Sequence, residues 1–184
     1  MRAAERPGGG ASVSGVLNAT RDSHGATHLH AAARLGRLRV ISNLLEHGAE
    51  VNVQNNYGET PLYLAALFRH GAVVVYLLKH GADAAMAKED GNTPLHVAAA
   101  WGQAEAVDAL CRSVGEGAQR RRLFAATNAD GETALGLAKA RRAYLERRNI
   151  GNPMTTIRML EDDFAAQQVV IHRTPDDLSP LIKV

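Results

Sequence analysis

Histidine and cysteine are residue types whose side chains often bind metals, and this chain has eight histidines and the single Cys111. His30 and His96 each follow a threonine by three residues, while His47 and His80 each precede a glycine. No group of histidines and cysteine has the spacing of a zinc site, and one cysteine excludes an internal disulfide. We therefore predict structural roles for the histidines, with no metal site and no bound cofactor.

Catalytic constellations are also missing from the sequence. It contains no glycine-rich phosphate loop, no serine–histidine–aspartate set and no carboxylate pair whose spacing requires a reaction to explain it. Cys111 falls on an apolar position of a predicted helix, and no base can be named that would make it a nucleophile. A buried thiol is the favoured interpretation, and the sequence predicts no catalytic residue and no enzyme.

The elements that must position these residues repeat along the chain. Threonines recur at a constant interval, and two sets of glycines keep the same step. The positions are Thr27, Thr60 and Thr93, then Gly25, Gly58 and Gly91, then Gly15, Gly48 and Gly81. The step from Thr93 to Thr133 is longer than this interval by seven residues, which indicates an insertion of that length in the third unit.

Each unit predicts a turn followed by two helices. The first glycine of a unit lies in a polar turn, where glycine adopts a positive φ at low cost. The threonine two residues later can cap a helix, with Pro61 or Pro94 at its first position. The second helix carries larger apolar residues and ends at Gly48 or Gly81, which suit a left-handed cap. Since no unit could bury its apolar face alone, the units are predicted to stack into an elongated α-solenoid.

These units resemble ankyrin repeats. The signature T-P-L-H-x-A-A occurs at 93–99 and in varied form at 27–33 and 60–66, and L-L-x-x-G-A-D/E occurs at 44–50 and 77–83. The resemblance covers residues 22 to about 148 and implies an all-α ankyrin-repeat solenoid with short β-hairpin or turn projections. It also implies that His30 and His96 tie turns to neighbouring backbone. The function it implies is protein–protein interaction. The signature itself is specific for the fold and weak for function, because this family's shared residues serve packing.

The predicted organisation has four parts. Residues 1–14 are interpreted as a flexible leader and residues 15–148 as the repeats. Within the repeats, residues 15–21 are interpreted as the hairpin of a partial unit, and the repeats start near residues 22, 55, 88 and 128. A C-terminal closing helix is predicted at 149–168, because Asn152-Pro153 suits a helix start, and residues 169–184 are predicted to be an extended tail.

Two departures from the pattern lead to specific expectations. Arg69 stands where other units have Gly36 and Gly102, so either Arg69 is strained or the turn shifts toward Gly71. The seven extra residues of the third unit predict an enlarged loop or a lengthened second helix. The first helix of the fourth unit is predicted to continue through Arg148.

The best functional signal lies at the ends of the first helices. The resemblance implies that residues just before the inter-helix turn face a concave groove, and these are Arg34-Leu35, Leu67-Phe68 and Ala100-Trp101. Leu35, Phe68 and Trp101 are separated by the same interval as the threonines and are predicted to form one apolar stripe. Residues of the adjoining turns would form its rim, namely Tyr57, Glu59, Glu89, Asp90 and Asn92. An apolar anchor with a polar rim is typical of a protein-binding hot spot. The alternative is that the stripe packs against neighbouring repeats or against the chain's own tail.

Positive charge concentrates between Arg112 and Arg148, where nine basic residues outnumber four acidic ones. The candidate basic patch consists of Arg120, Arg121, Arg122, Arg141, Arg142, Arg147 and Arg148. Such a patch can bind nucleic acid or an acidic surface, but no stacking aromatics are interleaved with it, which favours a solvated face.

The main prediction is a non-catalytic scaffold or adaptor that binds another protein. The alternatives are nucleic-acid or acidic-surface binding and a regulatory subunit of an enzyme complex.

Three residues are candidates for modification, and chance or a turn-forming role is the favoured alternative for each. Thr174 and Ser179 precede prolines in the predicted tail, and Asn52 resembles the ankyrin asparagine that oxygen-dependent hydroxylases modify.

No apolar run approaches the roughly 20 residues that span a bilayer, and residues 1–21 lack the apolar stretch of a secretory signal. We therefore predict no membrane insertion, a cytoplasmic or nuclear location, and a monomer in isolation.

Overall fold

The computed structural model of the chain describes residues 13–172, and this part contains ten helices. Their bounds are α1 Val13–Ala19, α2 His28–Arg34, α3 Leu38–Glu46, α4 Pro61–Leu67, α5 Gly71–Lys79, α6 Pro94–Ala100, α7 Ala104–Ser113, α8 Ala118–Ala125, α9 Ala134–Arg148 and α10 Pro153–His172. None of these helices is long and apolar enough to cross a membrane.

The helices form two stacked rows. The inner row consists of α2, α4, α6 and α9, each packed on the next, and the outer row consists of α3, α5, α7 and α10. Small inner residues let the first row stack closely, since Ala33, Ala66 and Ala99 are completely buried. Larger residues such as Ile41, Leu77 and Leu110 fill the space between the rows. The predicted all-α repeat solenoid is therefore confirmed.

Threonine caps start the inner helices as the repeat predicts. Thr60, Thr93 and Thr133 all have extended backbone, and their hydroxyl oxygens accept a hydrogen bond from the N–H three residues later. Pro61 and Pro94 occupy the first helical position, where a missing N–H costs nothing.

Arg69 adopts the left-handed conformation, with φ of 61°, and α4 and α5 on either side of it are regular helices. This confirms strain at Arg69 rather than a turn shifted toward Gly71. Gly36 and Gly102 have the same conformation, with φ of 67° and 63°. A Cβ at Gly102 would approach the Pro153 nitrogen to 3.0 Å, so a side chain would be crowded there as well as strained.

The structure differs from the prediction at residues 15–21, which belong largely to helix α1 rather than to a hairpin. The likeness between the two segments comes from a long-range contact of Asn18. Its Nδ2 donates to Gly48 O at 3.2 Å and its Oδ1 accepts from Glu50 N at 2.8 Å. Asn52 makes the equivalent pair of hydrogen bonds to Gly81 and Asp83 from a turn. The same asparagine contact is therefore made from a helix in one segment and from a turn in the other. The match to the later repeat was therefore one of contact and not of conformation.

The insertion in the third unit forms a separate helix, α8, which is neither the loop nor the lengthened helix that was predicted. Gly115 and Gly117 stop α7, with φ of 61° and 103°. Leu123 and Phe124 then anchor α8 by burial. The first helix of the fourth unit, α9, continues through Arg148 as predicted, and ends at the left-handed Asn149.

The closing helix α10 starts at Pro153 and ends at His172, so residues 169–172 are helical rather than part of an extended tail. Residues 13 and 14 of the predicted leader belong to α1. The rest of the leader (1–12) and the rest of the tail (173–184) lie outside the described residues.

Candidate protein-binding surface

The turns before the inner helices are linked into a ladder along one edge of the solenoid. The N–H of Asn56 donates to His24 O at 2.9 Å, and that of Glu89 to Tyr57 O at 3.4 Å. Ala129 N–H donates to Asp90 O at 2.8 Å. These projections are turns, because the part of the chain that the structure describes has only the isolated bridge Thr127–Thr133 and no strand.

Carboxylate and amide side chains hold each turn in shape. Asn55 Oδ1 accepts from the N–H groups of Tyr57 and Glu59, at 3.0 and 2.9 Å. Asp22 does the same in the first turn, and the N–H of Ala26 lowers the pKa of its carboxyl. In the third turn Lys88 replaces this residue, and it forms an ion pair with Asp90 at 3.0 Å.

The predicted rim residues lie at these turns, and several already have partners within the chain. Tyr57 is about half exposed, and its hydroxyl lies 3.1 Å from His24 Nδ1. Glu59 accepts from Asn55 Nδ2 at 2.8 Å. Burial raises the pKa of Asp90, and the Asn92 N–H and Lys88 outweigh that effect and leave the pKa below its usual value. Glu89 is exposed and Asn92 is half-buried.

Two buried histidines connect the helix caps to the next turn. His96 Nδ1 accepts from Thr93 N–H at 3.2 Å, and its Nε2 lies 3.1 Å from Glu132 O. His30 repeats the arrangement with Thr27 and Glu59 O, at 3.0 Å each. These contacts require a neutral ring with its proton on Nε2. Burial lowers the pKa of both rings, which keeps them in that form.

The predicted apolar stripe lies at the opposite end of the inner helices from the turn ladder. Leu35, Phe68 and Trp101 are the C-cap residues of α2, α4 and α6. Leu35 is 58% exposed and Phe68 is 46% exposed, while Trp101 is half-buried. Of their predicted neighbours on the inner helices, Arg34 is exposed and Leu67 is half-buried. The stripe is therefore an accessible surface of the solenoid.

Arg141 completes the stripe, and the sequence analysis assigned it to the basic patch instead. It occupies in α9 the place that Trp101 has in α6, seven residues after the first residue of the helix. Its guanidinium lies over the Trp101 ring, 4.8 Å from the centroid, which accounts for the lower exposure of Trp101. The signal in the sequence was the step from Trp101 to Arg141, which equals the step from Thr93 to Thr133.

The remaining basic residues of the predicted patch lie on α8 and α9, and several have partners within the chain. Arg120 on α8 is an ion-pair partner of Asp163 on α10, and both are mostly buried. Arg142 pairs with Glu146 at 2.8 Å within α9. On the same helix, Arg148 lies over the ring of Tyr144, and Arg147 Nε donates to Ala143 O at 3.0 Å. Arg121 is half-buried and Arg122 is exposed on α8. The residues of the predicted patch thus lie on two helices, α8 and α9.

The chemistry-bearing residues outside these surfaces are packed or bonded. Cys111 is buried, and burial with the nearby Asp163 carboxylate raises the pKa of its thiol to about 12. Residues 13–172 contain no group of three histidine, cysteine or acidic side chains that could hold a metal ion. Asn52 uses both its amide oxygen and its amide nitrogen in the bonds to Asp83 and Gly81 described above. Thr174 and Ser179 lie outside the described residues.

The turn ladder and the inner helices enclose a shallow cavity at the first two repeats. Its volume is about 150 Å³, and its lining includes Asp22, His24, Arg34, Tyr57 and Glu59. The cavity connects residues of the turn rim with Arg34, which ends α2 beside the stripe.

Comparison with known proteins supports the repeat architecture. The family model for ankyrin repeats in three copies matches residues 1–88 and again residues 29–122. No curated protein matches the chain. The matched part spans more than half of the sequence and includes the first three turns, their threonine caps and the helix pairs from α2 to α7. The chain therefore belongs to the ankyrin-repeat family.

Proposed function

We propose that this protein is a non-catalytic scaffold or adaptor that binds another protein through its concave surface. Ankyrin repeats are generally protein–protein interaction modules, and the residues of this chain suit that role. The observation that carries the proposal is the apolar stripe, in which Leu35 and Phe68 are exposed and Trp101 is half-buried. Repeated apolar positions that remain exposed usually mark an interaction site.

Comparison of equivalent positions supports binding over stacking. Three residues before the stripe, Ala32, Ala65 and Ala98 are nearly or fully buried, because they are the positions at which neighbouring inner helices pack. The stripe residues lie one helical turn beyond that contact. Their large side chains are therefore not needed to hold the repeats together, and a partner is the natural cover for them.

The turn ladder supplies the polar part of the surface. Glu89 and the Tyr57 side chain project from turns that backbone bonds and asparagine side chains hold in place. A rim held rigidly loses little conformational freedom on binding, which improves specificity for a partner of complementary charge. We propose Arg34, Leu35, Leu67, Phe68 and Trp101 as the anchor and Tyr57, Glu59, Glu89, Asp90 and Asn92 as the rim.

A pull-down with matched variants tests this function. Wild-type protein and the Phe68→Ala/Trp101→Ala variant would be used as bait in extracts from cells that express the chain. Phe164→Ala on α10 is the control, because Phe164 is 48% exposed but lies away from the stripe. We expect one or more proteins captured by wild type and by the control, and reconstituted from purified components, to be lost with the double variant. Equal capture by all three baits, with unchanged thermal stability, would refute the stripe as the anchor.

A further inference from the structure

The stripe has four positions at a regular spacing. Leu35, Phe68, Trp101 and Arg141 occupy the same place in four consecutive inner helices. Those helices pack directly on one another, so neighbouring positions are about 8–10 Å apart. We call this set of four residues the anchor track.

That spacing matches one kind of ligand backbone. A polyproline II segment has three residues per turn and rises about 3.1 Å per residue, so every third side chain points the same way about 9.3 Å further along. Such a segment would place one side chain on each position of the anchor track. The track therefore fits an extended segment whose every third residue faces it, with apolar residues opposite Leu35, Phe68 and Trp101.

Charge adds a second requirement at one end of the track. Arg141 lies over Trp101, and Arg142 is next to it on α9. Glu146, the acidic residue of that part of α9, is already paired with Arg142. Acidic residues of a ligand that lie next to the residue facing Arg141 would contact these guanidinium groups.

The chain itself contains a segment with this pattern, in residues 173–184. Apolar residues stand at every third position, and two aspartates follow the first of them. Pro175, Leu178, Leu181 and Val184 would correspond to Arg141, Trp101, Phe68 and Leu35, with Asp176 and Asp177 next to Arg141. The segment contains two prolines, Pro175 and Pro180, and the φ angle that proline permits is the one found in a polyproline II backbone.

The segment cannot occupy the track of its own molecule in this register. Helix α10 begins beside Trp101, where Asn152 N–H donates to Gly102 O at 2.7 Å, and it continues for 20 residues. A helix of that length ends about 30 Å from its start. The six residues from 173 to Leu178 span about 20 Å when fully extended, which does not return Leu178 to Trp101.

We propose that the anchor track binds the 173–184 segment of a second copy of this chain. The inference rests on the proposed function only in that the stripe is a binding surface. Because the donated segment and the receiving track are different surfaces, each molecule can give and receive, so association continues beyond dimers as concentration rises. At low concentration the chain is a monomer.

Analytical ultracentrifugation of the full chain across a wide concentration range, up to several hundred micromolar, tests the proposal. We expect concentration-dependent association that Trp101→Ala and Asp176→Lys/Asp177→Lys each weaken by about tenfold or more. Mixing Asp176→Lys/Asp177→Lys protein with Arg141→Asp/Arg142→Asp protein should restore association, because the charges are exchanged. Arg39→Asp, an exposed charge reversal on outer helix α3, is the control and should associate like wild type.

Three outcomes would overturn the proposal. One is a chain that remains monomeric at the highest concentration while a synthetic 173–184 peptide leaves the emission of Trp101, the single tryptophan, unchanged. Another is association that the charge exchange does not restore. The third is a change in Trp101 emission between wild type and Asp176→Lys/Asp177→Lys in dilute monomer, which would place the segment on its own track. In each case the pull-down with the Phe68→Ala/Trp101→Ala variant still decides the proposed function.

Discussion

Replacing His96 with alanine tests how the repeats are joined. The ring is completely buried and connects the cap of α6 to the turn that precedes α9. His96→Ala removes the bond to Glu132 O and leaves the buried Thr93 N–H without its Nδ1 acceptor. It also leaves a cavity the size of an imidazole between two inner helices.

The magnitude follows from these losses. A lost hydrogen bond costs about 1 kcal/mol, an orphaned buried N–H adds about 1–3 kcal/mol, and the cavity adds a further amount of about 1 kcal/mol or more. We expect His96→Ala to lower the free energy of unfolding by about 3–5 kcal/mol, measured by urea denaturation. His80→Ala is the control, because that exposed ring bonds within its own helix α5, with Nδ1 at 2.8 Å from Tyr76 O and the ring stacked on Tyr76. It should cost about 1 kcal/mol or less. If the unfolding free energies of the two variants agreed to about 1 kcal/mol, the histidine link would not contribute to stability as described.

Three further predictions concern pH, backbone strain and thiol reactivity. Because burial lowers the pKa of His30 and His96 in the folded state, the unfolded chain binds protons first as pH falls through about 6.5, so stability should decrease below that pH, by at most about 1.4 kcal/mol per pH unit for each ring. Denaturation at pH 7.5 and 5.5 checks this, and a slope unchanged in a variant with both rings replaced by glutamine would contradict it. Arg69→Gly should raise the free energy of unfolding by about 1 kcal/mol, because glycine adopts the left-handed φ without strain. The urea midpoint should rise accordingly with an unchanged m value, and a lower midpoint would show that Arg69 is not strained. Cys111 should resist alkylation in the native protein at pH 8 and react once the chain is unfolded, whereas rapid native labelling would show that the thiol is accessible.

The repeat period predicted most of the fold because each of its residues has a local physical role. Threonine at a cap, proline at the first helical position and glycine in a polar turn all act within a few residues of themselves. The strained Arg69 was predictable for the same reason, since the positions before and after it in the period are glycines. Local rules of this kind transfer from one repeat to the next.

The errors arose where a tertiary contact decided the structure. Residues 15–21 resemble the segment after Gly48, but what the two segments share is an asparagine contact, and α1 presents it from a helix. The insertion forms α8 because Leu123 and Phe124 are buried in the core and Arg120 forms an ion pair with Asp163 on α10. Asp163 is distant from Arg120 in the sequence, so a local pattern could not reveal that they meet.

The candidate surface was predicted in part. The period predicts the equivalent positions of Leu35, Phe68 and Trp101, of which Leu35 and Phe68 are exposed and Trp101 is half-buried. The sequence does not place Arg141 in the stripe, because the insertion displaces it by seven residues from the regular step. It is assigned instead to the basic patch with the neighbouring arginines. Arg141 lies over Trp101 because α9 is the fourth helix of the inner row.

Trp101 is the single tryptophan of the chain, so its fluorescence reports directly whether a partner covers the stripe. The measurement is collisional quenching of Trp101 fluorescence by acrylamide, with and without a saturating partner or partner-derived peptide that lacks tryptophan. We expect a bound partner to shift the emission to shorter wavelength and to reduce the quenching constant markedly. Emission and quenching that remain the same while the partner is fully bound would place the binding surface elsewhere on the solenoid.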